Sequence, residues 1–307
     1  MCAIFGLIDY KKVFSSAQRS LIINVLAEEC EVRGTDATGF AFNSDGNLKI
    51  FKRPYAAHEI NLRLHDDANV ILGHTRMATQ GDKRYNYNNH PFYGNANDTK
   101  FALAHNGIVY NDHEIAVEMG LPKTHIKTDS YVAVQLIEQL GELNERSLAE
   151  MAERISGPFV FTVLDENNNS YFVKGENPLA LYHFKDGFYI YASTDVILET
   201  ALDILGLDKL SHREVVTTCG DILKIDSKGR ITRSHFDPLV EVSRYWYSPR
   251  SFYGCAFPDL YDVPDEYIEL MIDYGYTLED IEDLCGIPEA IETAVSEILC
   301  EQGYFDE

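Results

Sequence analysis

Met1-Cys2-Ala3-Ile4-Phe5-Gly6-Leu7-Ile8-Asp9 opens the chain. Residues 2–9 form an apolar run of strand length and read as a buried β-strand. Its second residue decides what is sought elsewhere. If Met1 is removed, which a small second residue permits, Cys2 carries a thiol and a free α-amine on one residue. An α-amine titrates near ~7.7–8.0, so a good fraction is an unprotonated base at neutral pH. Nucleophile and general base would then share one residue. Taken alone, a cysteine near a start is an ordinary small buried residue.

Outward from that strand, residues 17–33 repeat apolar positions at helical spacing through Leu21, Ile22, Val25, Leu26 and Cys30. ATGFAFN and NLKIFKR flank Asp45-Gly46, a favoured hairpin dipeptide. NVILGH and FALAHNGIVY are further strands, and residues 128–141 and 146–156 read as helices. From 158 to 236 the pattern is β-rich (FVFTVLD, SYFVKG, LALYHF, GFYIYAS, GDILKID, GRITRSH), interrupted by a helix over 194–205. Hairpins flanked by helices, without alternating βαβ units, predict a layered α+β protein. A composition shift divides the chain into residues 1–236 and residues 237–307. The second part begins with a Pro- and aromatic-rich linker and continues as short helices over 264–302.

Charge excludes some functions. The 307 residues carry a formal net charge of −23. Residues 1–236 hold 31 acidic against 24 basic side chains, and residues 237–307 hold 18 against 2. So acidic a body repels phosphate backbones, and no basic run offsets it, so no nucleic-acid partner is expected. No apolar run reaches the roughly 18 residues of a membrane span, and the start lacks the features of a signal peptide. The six cysteines form no CxxC pair and no metal-ligand spacing. Neither a metal nor a cofactor is expected, and reduced thiols point to the cytoplasm. His65-Asp66-Asp67 reads as solvated surface.

Four patches answer to Cys2: Arg33-Gly34-Thr35-Asp36-Ala37-Thr38-Gly39, Gly73-His74-Thr75-Arg76-Met77-Ala78-Thr79-Gln80-Gly81, His105-Asn106-Gly107, and Lys127-Thr128-Asp129-Ser130. Weaker echoes are Gly157-Pro158-Phe159, Asn177-Pro178-Leu179 and Ala192-Ser193-Thr194. In this order and spacing they resemble the glutaminase domains of class II glutamine amidotransferases, which are N-terminal-nucleophile hydrolases. The likeness covers roughly residues 2–236 and is nearest the glutaminase domain of glucosamine-6-phosphate synthases. It implies an αββα four-layer sandwich with a small C-terminal helical appendix.

The resemblance also implies roles. Cys2 would attack the side-chain amide of L-glutamine, with Asn106 and the Gly107 N–H forming the oxyanion hole. Arg76 can grip the α-carboxylate bidentately, Asp129 can pair with the α-ammonium, and Thr79 is a secondary carboxylate contact. Arg33 and Asp36 would support the nucleophile, and Gly34 and Gly39 suit close backbone approach. Singly, Arg76 could be an ion pair, Asn106-Gly107 a turn and Asp129 a helix cap; their joint order favours the chemistry. His74, His90 and His105 are expected to support the fold, since the amine already moves protons.

Met77 and Gln80 depart from the aromatic and the histidine of the nearest relatives, which bears on glutamine affinity and on closure over the site. Relatives continue into an ammonia-consuming synthase, for which 70-odd further residues are too few. The expected activity is hydrolysis of L-glutamine to glutamate and ammonia through a Cys2 thioester, feeding a synthase on another chain. The alternatives are a γ-glutamyl amide or peptide hydrolase of the same fold, and a catalytically idle binding or scaffold subunit. A homo-oligomer is compatible with all three.

Overall fold

The computed structural model describes residues 2–238 together with Met271. The chain divides into two units, Met1–Glu241 and Val242–Glu307, and all the strands and helices below belong to the first. The helical extension expected over 264–302 lies outside the described residues.

The chain runs through β1 (Ala3–Ile8), α1 (Ser16–Glu29), β2 (Ala37–Ser44), β3 (Asn47–Arg53), β4 (Val70–Arg76), β5 (Phe92–Ala96) and β6 (Thr99–Gly107). Helices α2 (Asp112–Glu118), α3 (Tyr131–Leu140) and α4 (Glu145–Ala152) follow. Next come β7 (Phe159–Asp165), β8 (Ser170–Lys174), β9 (Ala180–Phe184) and β10 (Phe188–Ala192). Helix α5 (Asp195–Leu205) leads to β11 (His212–Glu214), β12 (Asp221–Ile225) and β13 (Ile231–His235). The strands make a seven-stranded sheet, ordered β11-β9-β10-β1-β4-β2-β3, and a six-stranded sheet, ordered β13-β12-β8-β7-β6-β5. Strand neighbours are antiparallel throughout.

The two sheets stack face to face. Ile4, Leu72 and Ala41 of one meet Ala102, Ala104, Val160 and Phe172 of the other in a buried middle layer. Because side chains alternate along a strand, the neighbours of these residues point outward. Ala3, Phe5 and Leu7 of β1 pack with Ile22, Ile23 and Leu26 of α1 and Leu198 of α5. Phe101, Leu103 and Phe161 pack with Val132 and Leu136 of α3 and Met151 of α4. Helix, sheet, sheet, helix is the αββα order that the resemblance implies. A central strand such as β1 is buried on both faces, which is why its sequence is an unbroken apolar run. Burying each large apolar side chain there stabilises by about 1.5–3 kcal/mol.

Local chemistry sets the connections. Asp45 and Gly46 take φ of 52° and 71°, the paired positive values of a tight β2–β3 hairpin turn. Helix α1 is capped by Ser15, whose hydroxyl accepts from the Gln18 N–H. It ends sooner than the helical spacing predicts: residues Cys30–Arg33 tighten into a 3₁₀ turn. The sequence pattern assigned neither β5 nor α2. Strand β5 (FYGNA) is a short edge strand interrupted by Gly94. Helix α2 has seven residues, too few for its period to stand out.

Antiparallel register gathers the motifs at one end of the sandwich. Ala3 of β1 lies opposite Thr75 of β4, and Ala37 of β2 lies opposite Arg76. Cys2, Arg76 and the residues before β2 therefore share an edge. In the second sheet, Asn106 and Gly107 end β6 beside Val160 and Phe159.

Candidate active site

Arg33 joins the two sheets at the nucleophile. Its Nε donates to the Cys2 carbonyl at 2.9 Å, and its Nη2 donates to Asn106 Oδ1 at 3.3 Å. The tight 3₁₀ turn puts the side chain there, and Gly34 lets the following backbone cross β4. A Cβ at Gly34 would lie 2.5 Å from the Arg76 carbonyl carbon and 2.6 Å from the Met77 nitrogen. At Gly39 it would lie 2.0 Å from the His90 oxygen. Both approaches leave no room for a side chain. Cys2 is partly exposed, and its Sγ donates to the Met77 carbonyl at 3.5 Å. Burial pushes the thiol pKa up, and the nearby Arg76 guanidinium opposes that rise.

Asn106 is fully buried. Arg33 can only donate, so the oxygen of the Asn106 amide must face it. The other end is thereby fixed as Nδ2, a buried donor with no hydrogen-bond partner among the described residues. The Asn106 backbone carbonyl is held separately, by Asn177 Nδ2 at 2.9 Å. A buried amide donor left unpaired while its other groups are satisfied calls for an explanation, and a hydrogen bond to a bound ligand is one. Gly107 takes φ of 153°, and a Cβ there would meet the Pro158 oxygen at 2.0 Å, so the position requires glycine.

Arg76 is 2% exposed and closes β4 on the inter-sheet side. Its Nη1 donates to Asn89 Oδ1 at 2.7 Å. Its Nη2 donates to the carbonyls of Gln80 and, at 3.0 Å, Gly81, with Thr128 Oγ1 at 3.4 Å. Asp129 is buried just before α3, where its Oδ2 accepts the Val109 N–H at 2.7 Å and its Oδ1 accepts from the Ser130 hydroxyl at 3.2 Å. Both Arg76 and Asp129 are close enough to Cys2 to act on its charge.

Asp36 braces the segment after β4. Its Oδ2 accepts the Ala78 N–H at 2.9 Å and its Oδ1 pairs with Lys83 Nζ at 2.5 Å. Burial alone would raise the carboxyl pKa, but the Lys83 bond and the Ala78 N–H hold it below the usual range. Thr79 is exposed and makes no hydrogen bond with the described residues, so it stands apart from the buried cluster. Met77 and Gln80 are exposed beside it.

The three histidines lie behind this surface. His74 and His90 rings sit 4.2 Å apart, and His105 Nδ1 meets Ser130 Oγ at 2.7 Å. Burial lowers all three pKa values, His74 to about 3 and His105 to about 4, so they are neutral near pH 7. Asp67, beside His65, accepts from the Ser44 hydroxyl and the Asp45 N–H and so serves the hairpin turn. Among the described residues, no group of three or more His, Cys, Asp or Glu is arranged to hold a metal, and no helix is long and apolar enough to cross a membrane.

Residue-level reading missed Lys83, Asn88 and Asn89. Asn88 Oδ1 accepts the Lys127 N–H at 2.9 Å and its carbonyl accepts from the Thr128 hydroxyl at 2.7 Å, tying the β4 loop to the Asp129 motif. The available signal was the paired asparagines of Asn88-Asn89-His90-Pro91, polar side chains run directly into a strand.

Two stacked antiparallel sheets between helix layers, with a cysteine at the head of a central strand, define an N-terminal-nucleophile hydrolase architecture. A model of the glutamine amidotransferase domain matches residues 61–217. The glutamine–fructose-6-phosphate aminotransferase (isomerizing) of Staphylococcus epidermidis is 31% identical, over 75% of this chain and 38% of the relative. The enzyme of the same name from Staphylococcus aureus has the same identity and coverage. The chain thus spans 38% of the length of these relatives. The structure of glutamine phosphoribosylpyrophosphate amidotransferase from B. subtilis, complexed with ADP and GMP, superposes with TM-score 0.59 at 20% identity, over 77% of this chain and 49% of that one. A structure described as the allosteric regulatory enzyme of purine biosynthesis gives TM-score 0.61 at 20% identity, with the same coverage. These two show likeness of fold. The chain belongs to the glutamine amidotransferase domain family, in its class II branch of enzymes.

Proposed function

We propose that this chain hydrolyses L-glutamine to glutamate and ammonia through a thioester on Cys2. The observation that carries the reading is the shared hold of Arg33 on Cys2 and Asn106, which leaves the buried Asn106 Nδ2 as an unspent donor beside the nucleophile. With Met1 removed, the Cys2 α-amine takes the thiol proton and Sγ attacks the side-chain carbonyl carbon of glutamine. The carbonyl oxygen becomes an oxyanion, received by Asn106 Nδ2 and the Gly107 N–H. Collapse breaks the C–N bond, the leaving nitrogen takes the proton from the α-ammonium, and ammonia departs. Water then hydrolyses the thioester with the same amine as base, restoring the thiol and releasing glutamate.

Specificity rests on the amino-acid head. Arg76 would receive the α-carboxylate and Asp129 the α-ammonium. A buried guanidinium and a buried carboxylate reject substrates that leave either one unpaired, because an unpaired buried charge is costly. The ammonia would pass to a synthase on another chain, in the cytoplasm. The names of the relatives, an aminotransferase acting on fructose 6-phosphate and an amidotransferase of phosphoribosylpyrophosphate, support an acceptor that receives nitrogen from glutamine.

The test is intact-mass analysis after treatment with 6-diazo-5-oxonorleucine, run beside an assay for glutamate and ammonia. One adduct on Cys2 with Met1 absent, lost in Cys2→Ala, is expected. A Met-processed sample that neither turns over glutamine nor takes the label would overturn the proposal.

A further inference from the structure

Asn89 is fully buried and every polar group it has is engaged. Oδ1 accepts from Arg76 Nη1 at 2.7 Å, and Nδ2 donates to the Lys83 carbonyl at 2.8 Å. The backbone N–H donates to the Asn86 carbonyl at 3.1 Å, and the backbone carbonyl accepts from Lys52 Nζ at 2.6 Å. Nη1 can only donate, so the amide has one orientation. Asn89 therefore links β3, the loop after β4 and the guanidinium that ends β4.

We propose that Asn89 is a positioning residue that fixes Arg76 so that its Nε–Nη2 edge takes the glutamine α-carboxylate. This rests on the glutaminase reading of Arg76. A guanidinium offers two bidentate edges, Nη1–Nη2 and Nε–Nη2, and both include Nη2. Asn89 holds the first edge at Nη1. Nε makes no hydrogen bond with the described residues, whereas Nη2 is covered by the Gln80 and Gly81 carbonyls. The edge left for a carboxylate is thus Nε–Nη2, and it opens when those two carbonyls withdraw.

The loop is built to yield there and not at its ends. Asp36 pins Ala78 and Lys83, and Asn89 pins the Lys83 carbonyl again. Between these braces Thr79 and Gln80 are exposed, and Gly81 has φ of 74°. Asn89 would hold the guanidinium still while the segment over it moves.

The experiment compares L-glutamine with L-glutaminamide, which keeps the α-ammonium and the scissile amide but has no carboxylate. The readout is the ratio of their kcat/KM values in wild type and Asn89→Ala. A positioning role predicts a fall of about tenfold in the glutamine-to-glutaminamide ratio, carried by KM for glutamine. Equal losses on both substrates would make Asn89 a packing residue and overturn the proposal. If Asn89→Ala does not fold, the isosteric Asn89→Asp gives the same test. Its ratio should fall further, since a carboxylate on Nη1 competes with that of the substrate; an unchanged ratio would overturn the proposal. Wild-type protein inactive on both substrates would overturn the glutaminase reading itself.

Discussion

Replacing Asn106 by alanine tests the proposed catalysis apart from folding, because one end of its amide is bonded and the other has no partner among the described residues. Removing Nδ2 therefore breaks no bond seen there. Oδ1 accepts one bond from Arg33 at 3.3 Å, and Arg33 keeps its 2.9 Å bond to the Cys2 carbonyl. The backbone bond from Asn177 is untouched. The folded state should lose about 1–2 kcal/mol, a fall of roughly 2–8 °C in Tm for a domain of this size. If Nδ2 is the proposed oxyanion donor, its loss should cost about 2.7–4 kcal/mol, or roughly 100- to 1000-fold in kcat. KM should stay within about threefold, since the amino-acid head is gripped elsewhere. Asn106→Asp is the control: its carboxylate pairs with Arg33 and preserves Tm, yet places negative charge where the oxyanion forms. Steady-state glutaminase assays and thermal melts on Met-processed protein give both readouts. If Asn106→Ala keeps kcat within about threefold of wild type, or shows its loss wholly in KM, the oxyanion assignment is wrong.

Two further outcomes follow from the same geometry. Arg76→Lys replaces a fork by a point charge and leaves Asn89 Oδ1 and the loop carbonyls underserved. KM for glutamine should rise about 10- to 100-fold with kcat changed less, and an unchanged KM would remove Arg76 from substrate binding. The buried histidines predict acid sensitivity. Their folded pKa values lie below the unfolded value of about 6.5, His74 at about 3 and His105 at about 4, so the unfolded state binds protons first as pH falls. The stability they allow is full above about pH 6.5 and is lost on acidification toward those folded values. Well inside that window the loss is about 1.4 kcal/mol per pH unit for each group. Urea unfolding at pH 7, 6 and 5 should show it, and a flat midpoint would mean that these rings are not buried as neutral bases.

How much of this was legible from sequence depends on whether a residue acts through its neighbours in the chain or across the fold. Strand β1 announces itself because burial on both faces demands an unbroken apolar run, and the β2–β3 turn because Asp45-Gly46 supplies two positive φ values. The motifs at Arg33, Arg76, Asn106-Gly107 and Asp129 were found as short strings. What the strings could not express is their interlock. That Arg33 would bond both Cys2 and Asn106 depends on two sheets meeting at one end, which no local pattern encodes. That Arg76 would be held by Asn89 depends on a loop folding back across 13 positions. Thr79 shows the converse: it belongs to a motif string, yet its side chain is exposed and lies outside the buried cluster.

The hydrogen bonds also explain why the loop and the clamp must be treated as one object. In the structure the carbonyls of Gln80 and Gly81 satisfy a buried cation that would otherwise be costly to hold between the sheets. A substrate carboxylate could do the same with a full negative charge and a better match to the fork. If Arg76 receives the glutamine carboxylate as proposed, binding would be an exchange of acceptors on Nη2, favourable by the difference between a charged and a neutral partner and not by the whole strength of either. Glutamine affinity would then be sensitive to whatever sets loop position, namely the Asp36–Lys83 pair and Asn89. The departure at Gln80 bears on the same balance, because its carbonyl is one of those acceptors and its side chain is exposed, while Met77 is exposed just before the Ala78 brace.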